Sequence, residues 1–240
     1  MTAAGVALYE ATSKVYRGQV DPADPNSAWS LIVARVPPRS RVLEIGCAEG
    51  YMSAYLRREK RCAVTAVEVC PQAAEAARKH CERVVVGDVE GTALAEVGGG
   101  YDVVLCADVL EHLRHPGRVL RSLAARLNPR GRALVSVPNV AHWDVRRLIL
   151  AGRFEYDRSG LLDDTHLRFF TRETAGRLLE GAGLRVVETE FVHRWPGHWK
   201  YGAFYRRWER PLRRLTARHF LGLFGYQFVF TAVPPGRDAP

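Results

Sequence analysis

The sequence predicts an α/β protein built on a doubly wound, seven-stranded, mostly parallel sheet. Three observations carry that prediction. Seven short apolar runs recur along 240 residues, the early ones separated by segments of helical pattern. The runs are continuously apolar, as strands covered on both faces are. Glycines and acids gather at the ends of the first runs, where an open α/β sheet binds its ligands.

The elements follow in order. Residues 1–36 form a helical lead-in, with a helix over 28–36 stopped by Pro37-Pro38. The first strand is Arg41–Ile45, followed by a glycine turn and a helix near 51–59. Ala63–Val67 is the second strand. Its helix runs from Pro71 to His80, and proline suits a first helical turn. Arg83–Val86 is the third strand and Tyr101–Cys106 the fourth, entered through Gly98-Gly99-Gly100. A helix near 116–127 ends at Asn128-Pro129, and Arg132–Val137 is the fifth strand. A helix at 171–181 leads to strand six, Leu184–Phe191, and Tyr226–Val233 is the last strand. Residues 139–170 and 193–222 break the rhythm as insertions after strands five and six. The chain reads as one domain over 1–240.

Composition narrows the class. Hydrophobic residues make up 47% and charged residues 25%, as in ordinary globular proteins. The five cysteines show no paired spacing, which points to free thiols in a reducing compartment. The first 16 residues carry no signal-peptide pattern, and no apolar stretch is long enough to span a membrane. A cytoplasmic location is therefore expected. The net charge of +9 fits either an anionic partner or the arginine-rich bias of a GC-rich genome. Its arginines are interspersed with acids, which favours the second.

The chemistry begins at the first strand. Glu44-Ile45-Gly46-Cys47-Ala48-Glu49-Gly50 is a strand running into a glycine-bounded turn and then a helix. Gly46 permits close approach of backbone to ligand, and Gly50 lets helix and strand pack closely. The spacing is not G-x-G-x-x-G, and Glu44 and Glu49 make a poor setting for a pyrophosphate. A cofactor with a positive centre and no phosphate fits better. Glu68 follows strand two, 22 positions after Gly46, where a carboxylate can accept both ribose hydroxyls of an adenosine. Asp88 follows strand three and Asp108 strand four. One acid at a strand end is usually a helix cap; four in register are hard to explain by capping.

This order of motifs resembles the class I S-adenosylmethionine-dependent methyltransferases, over roughly residues 38–138 and 169–191. That resemblance implies a Rossmann-like sheet and S-adenosylmethionine as cofactor. It assigns Glu44, Gly46, Cys47, Ala48, Gly50, Tyr51, Glu68, Val69, Asp88, Val89, Ala107 and Asp108 to cofactor binding. The family's first motif is E/D-x-G-x-G-x-G. Here Ala48 replaces the middle glycine, which suits the turn only if residue 48 needs no positive φ. Cys106-Ala107-Asp108-Val109-Leu110-Glu111-His112-Leu113 resembles the strand-four signature of small-molecule type-11/12 methyltransferases, and Leu127-Asn128-Pro129-Arg130-Gly131 their L-x-P-G-G turn. The N/D-P-P-Y/F motif of base-amine methyltransferases is absent after strand four, which argues against nucleic acid as acceptor.

Methyl transfer is an in-line displacement that needs positioning, plus a base when the acceptor is a hydroxyl. His166, His112 and His142 are the candidate bases, in that order. His112 follows strand four and His142 follows strand five. His166 lies in Asp163-Asp164-Thr165-His166-Leu167-Arg168-Phe169-Phe170, a run that resembles a segment of bacterial glycan and natural-product methyltransferases. Each histidine also has a plain packing role as its alternative. The catechol-type metal triad of related methyltransferases is not identifiable, so no metal is expected, and the pair His112 and His115 sits in E-H-x-x-H, not the zincin H-E-x-x-H, which discounts zinc.

Residues 141–157 form a lid helix or ordinary core. The stretch 195–220 interleaves arginines with Trp195, Trp199, Tyr201 and Trp208. It suits packing or substrate gating, contact with a membrane or a lipid-linked substrate, or a nucleic-acid or homodimer interface. The expected reaction is methylation of a small-molecule acceptor, at a hydroxyl of a sugar, aromatic or secondary metabolite. The alternatives are N-methylation, an RNA acceptor, and a non-catalytic partner-binding role.

Overall fold

The computed structural model describes residues 20–24, 26–194 and 220–236. Expectations for the first 19 residues and for residues 195–219 lie outside that range. Seven strands form one sheet in the order β3-β2-β1-β4-β5-β7-β6. They are β1 (Arg41–Ile45), β2 (Ala63–Glu68), β3 (Arg83–Val86), β4 (Tyr101–Ala107), β5 (Leu127–Pro138), β6 (Arg185–His193) and β7 (Gly225–Val233). β1 to β5 are mutually parallel, and β7 runs antiparallel to both β5 and β6. This is the mostly parallel, doubly wound sheet expected, with the last strand inserted between β5 and β6.

Alternate residues of each strand enter opposite cores. Val42, Val64, Ala66, Val103, Leu105, Leu134 and Val229 face one side. There they meet α1 (Ala28–Arg35), α2 (Tyr51–Lys60) and α3 (Pro71–Ala77). Leu43, Ile45, Val67, Val104, Cys106, Val135 and Phe230 face the other side. There they meet α4 (Ala93–Glu96), α5 (Pro116–Ala124) and α7 (Arg172–Gly181).

The helix boundaries have local causes. Ser27 caps α1 by accepting from the Ser30 N–H, and the helix stops before Pro37. Pro71 and Pro116 occupy first-turn positions of α3 and α5, where no intrahelical N–H is lost. α5 buries Pro116, Val119, Leu120 and Leu123, the i, i+3, i+4, i+7 stripe of a helix lying on a sheet. α7 carries a capping box, with Thr171 and Thr174 bonding each other's backbone N–H.

β5 is longer than its apolar run. Asn128–Gly131, read from sequence as a turn before the strand, is a bulge inside it: Tyr101 pairs with Leu127 and Val103 with Arg132.

The insertion 139–170 has a small core of its own. Val145, Leu161 and Leu162 are buried together, with Val140, Leu148, Phe169 and Tyr226 packed against them. Its ends are tied by the Val140 N–H to the Phe170 carbonyl, 2.9 Å. The helix expected in 141–157 is α6 (Trp143–Leu150), which buries only Val145 and leaves Ile149 and Leu150 exposed. A short α8 (Leu221–Phe224) leads into β7.

Phe228 on β7 is wholly buried in the core that contains α5 and α7. Phe228→Ala is expected to lower unfolding free energy by about 3–5 kcal/mol. Urea denaturation checks this; a loss under about 1 kcal/mol would contradict the packing described.

Candidate active site

Chain order reverses between β1 and β4, so a crevice opens outside their carboxyl ends. Strand register brings the candidate residues to that edge. Ile45 pairs with Val67 and with Cys106, so Gly46, Glu68 and Ala107 stand in one row. Glu68 in turn pairs with Val86, which places Gly87 and Asp88 beyond it.

The turn after β1 is held tightly. Gly46 has φ +69°, and a Cβ there would lie 2.8 Å from Val109 Cγ2. Gly50 has φ +80°, and a Cβ would meet the Ala77 backbone at 3.0 Å. Cys47 is buried, and Tyr51 starts α2 with its ring 4.6 Å from that of Trp29. Ala48 has φ +49°, so the expectation that this residue avoids positive φ is corrected. A left-handed alanine costs roughly 1–2 kcal/mol. Part of that is offset by the Ala48 N–H, which donates to Glu68 Oε2 at 2.9 Å.

Glu68 thus has a structural duty that sequence did not reveal. Its Oε1 accepts from the Cys70 N–H at 3.0 Å, so one carboxylate pins the loops after β1 and β2. Burial raises its pKa, while these backbone donors pull the other way. Cys70, Ala48 and the neighbouring Val69 are its backbone donors, and a carboxylate with about four acceptor positions retains capacity for a ligand hydroxyl. Val69 beside it is half-buried.

The other acids differ in setting. Glu44 lies buried beneath the turn, hydrogen-bonded to the Ser53 hydroxyl of α2, and burial pushes its pKa up to about 8. Asp88 is exposed, with Oδ1 accepting from the Glu90 N–H at 2.8 Å; Val89 is buried. Asp108 has φ +55°. Its Oδ1 accepts from the Ser136 hydroxyl at 2.9 Å and from the Gln227 amide, and burial raises its pKa. Carboxylates at Glu68, Asp88 and Asp108 on this edge suit a cofactor that is cationic and free of phosphate. That chemistry fits S-adenosylmethionine.

The histidines separate into two groups. His142 is fully buried. Its Nδ1 accepts from the Asp144 N–H at 3.2 Å as the cap of α6, and its Nε2 meets the Arg194 carbonyl at 2.8 Å. Both nitrogens are engaged, so the expectation of a base facing the crevice is replaced by a capping role. His112 and His166 come together, with ring centroids 5.0 Å apart. His112 Nδ1 lies 3.2 Å from the Thr165 carbonyl and 3.1 Å from its hydroxyl, and Thr165 Oγ1 donates to Asp163 Oδ1 at 2.5 Å. Burial lowers the pKa of both imidazoles, that of His166 to about 4, where proximity of His112 adds to the effect.

Glu111 was not among the sequence candidates. It is 1% exposed, and neither carboxylate oxygen has a hydrogen-bond partner. Burial, and then the Asp108 and Asp163 carboxylates, raise its pKa well above the usual range. Its backbone carbonyl accepts from the Leu167 and Arg168 N–H groups, at 2.8 and 2.9 Å, docking the insertion onto the end of β4. Phe154, Tyr156 and Phe169 form an aromatic cluster beside His166, whose ring centroid lies 6.2 Å from that of Phe169.

Comparison with known proteins agrees with this arrangement. A family model described as a methyltransferase domain matches residues 20–189, and the chain belongs to this family of class I S-adenosylmethionine-dependent methyltransferases. The mitochondrial ubiquinone biosynthesis O-methyltransferase of Schizosaccharomyces pombe is 36% identical over 105 residues, covering 40% of this chain and 37% of that protein. The ubiquinone biosynthesis O-methyltransferase of Aeromonas salmonicida is 29% identical over 158 residues, covering 64% and 66%. The chain therefore spans less than two thirds of the length of either relative. Magnesium protoporphyrin IX methyltransferase from Synechocystis, solved with bound SAH, superposes with a TM-score of 0.60 at 17% identity, covering 96% of this chain and 95% of that one. At that identity the likeness speaks for the fold. Among the described residues, no helix is long and apolar enough to cross a membrane.

The raised pKa of Glu44 fixes a pH dependence. The folded protein holds this proton more tightly than the unfolded chain, so the stabilisation is full below about pH 4.5 and declines as pH rises through about 8. The limiting slope is about 1.4 kcal/mol per pH unit. Glu44→Gln removes it. The melting temperature of the variant is expected to gain on wild type from pH 5.5 to pH 8; a constant difference would contradict a buried, protonated Glu44.

Proposed function

We propose that this protein methylates a hydroxyl of a small molecule, a sugar, aromatic or secondary metabolite, using S-adenosylmethionine. Its family supports the cofactor, and the names of its curated relatives support oxygen as the accepting atom. The single observation that carries the assignment is the Glu111–His112–His166 cluster beside the β1/β4 crevice.

The bound cofactor supplies an electrophilic methyl carbon on a sulfonium. Glu68 holds the ribose hydroxyls, Asp88 takes the adenine edge, and the Gly46–Gly50 turn receives the methionine part. The insertion 139–170 covers the acceptor. Phe154, Tyr156 and Phe169 offer flat faces for its ring. The His112–His166 end of the cluster draws the proton from the acceptor hydroxyl. The acceptor oxygen, relieved of its proton, would take the methyl carbon that bound S-adenosylmethionine supplies, and the C–S bonding pair would stay on sulfur. Asp163 and Thr165 act as positioning residues, since they fix the His112 ring through its Nδ1.

Transfer of a labelled methyl group to a panel of hydroxyl and amine acceptors tests this. Product labelled on oxygen is expected. His166→Ala and His112→Ala should each cut turnover by roughly 10²–10⁴-fold while cofactor affinity stays near wild type. Wild-type turnover in both variants would remove the cluster from the mechanism, and transfer to amines alone would replace O- by N-methylation.

A further inference from the structure

We infer that Glu111, His112 and His166 form a binding site for a divalent transition-metal cation, with the zinc or manganese class of ion the natural occupant. The argument starts from atoms left without partners. Both Glu111 carboxylate oxygens and His166 Nδ1 are buried and meet no hydrogen-bond donor or acceptor. A buried polar atom without a partner is costly, and three such atoms on two neighbouring side chains call for a common partner. One donor atom from each of the three residues lies within 4.8 Å of the others. Metal–ligand bonds of about 2.0–2.2 Å would draw such a set together around one ion.

The remaining nitrogens are arranged to support it. His112 directs Nδ1 at the Thr165 carbonyl and hydroxyl, which leaves the Nε2 lone pair free. His166 Nδ1 is buried and has no hydrogen-bond partner, so its lone pair is available to a ligand. Metal-bound imidazoles are held as His112 is, the distal N–H anchored on a carbonyl so that tautomer and ring direction are fixed. Asp163 extends the support for His112 through Thr165. Two imidazoles and one carboxylate form a donor set suited to zinc and its neighbours, and three protein ligands leave a coordination position open.

The sequence expectation of no metal rests on the absence of a catechol-type triad, and the E-H-x-x-H spacing that discounts zinc has His115 as its second histidine. His115 is exposed at the start of α5; the third donor is His166, which arrives from the insertion. The chemical role of the ion rests on the proposed function, although its binding does not. An acceptor hydroxyl oxygen in the open position would be acidified by the cation and would lose its proton to solvent. In the metal-loaded enzyme the cation would thus take over the proton-withdrawing role that the proposed function gives the His112–His166 pair in the metal-free enzyme.

Chelator-treated protein is titrated with Zn2+ or Co2+ alone, by calorimetry and by the visible absorption of Co2+. One equivalent per chain is expected, with a four- or five-coordinate cobalt spectrum. His166→Ala should weaken affinity by more than about 100-fold, beyond the effect of losing an outer-shell partner, and Glu111→Gln should alter the cobalt spectrum. Cofactor titration of the same samples is run in parallel and should be unchanged in both variants. Wild-type protein that binds the cofactor but takes up no stoichiometric metal would overturn the site, as would metal binding indifferent to both substitutions. Loss of cofactor binding by wild type would count instead against the methyltransferase reading.

Discussion

The site depends on one carboxylate. Glu68 ends β2, and its two oxygens take the backbone N–H groups of Ala48 and Cys70. Those bonds fix the loops after β1 and β2 against each other before any ligand arrives. They also hold Ala48 in a left-handed conformation that its side chain disfavours. A buried carboxylate without donors would be unstable, so the loops and the acid require each other. The ribose contact proposed for Glu68 would use the acceptor capacity that remains.

Around that clamp the sheet supplies position and the insertion brings His166 to His112. Parallel register brings Gly46, Glu68 and Ala107 to one edge, and the reversal between β1 and β4 opens the crevice there. The insertion after β5 folds back to lay Leu167 and Arg168 on the Glu111 carbonyl, which sets His166 beside His112. In the proposed function rigid strands hold the cofactor side, while a segment with its own small core holds the acceptor side. Specificity can then vary with the insertion and leave the cofactor site untouched.

Much of the fold was legible because its signals are local. Continuous apolar runs marked the strands, and prolines marked the starts of α3 and α5. The acids at the ends of β2, β3 and β4 could be placed once the sheet was taken as parallel. What escaped was decided by distant contacts. Glu111 precedes a histidine and resembles a solvated helix residue; its burial comes from a segment some fifty residues later. His142 follows β5 as a crevice residue would, yet Asp144 and Arg194 claim both of its nitrogens. Ala48 accepts positive φ because Glu68 captures its N–H, a contact that no local propensity encodes. The Asn128–Gly131 bulge carries ordinary turn residues and looks like a loop until β4 is placed beside it.

The most direct test of the account is calorimetric titration of wild type and Glu68→Ala with S-adenosylmethionine and with its demethylated product. The account predicts micromolar binding of both to wild type, and loss of that binding in the variant while its sheet remains folded by circular dichroism. Well-folded wild type that binds neither compound, or a variant that binds them as wild type does, would contradict it.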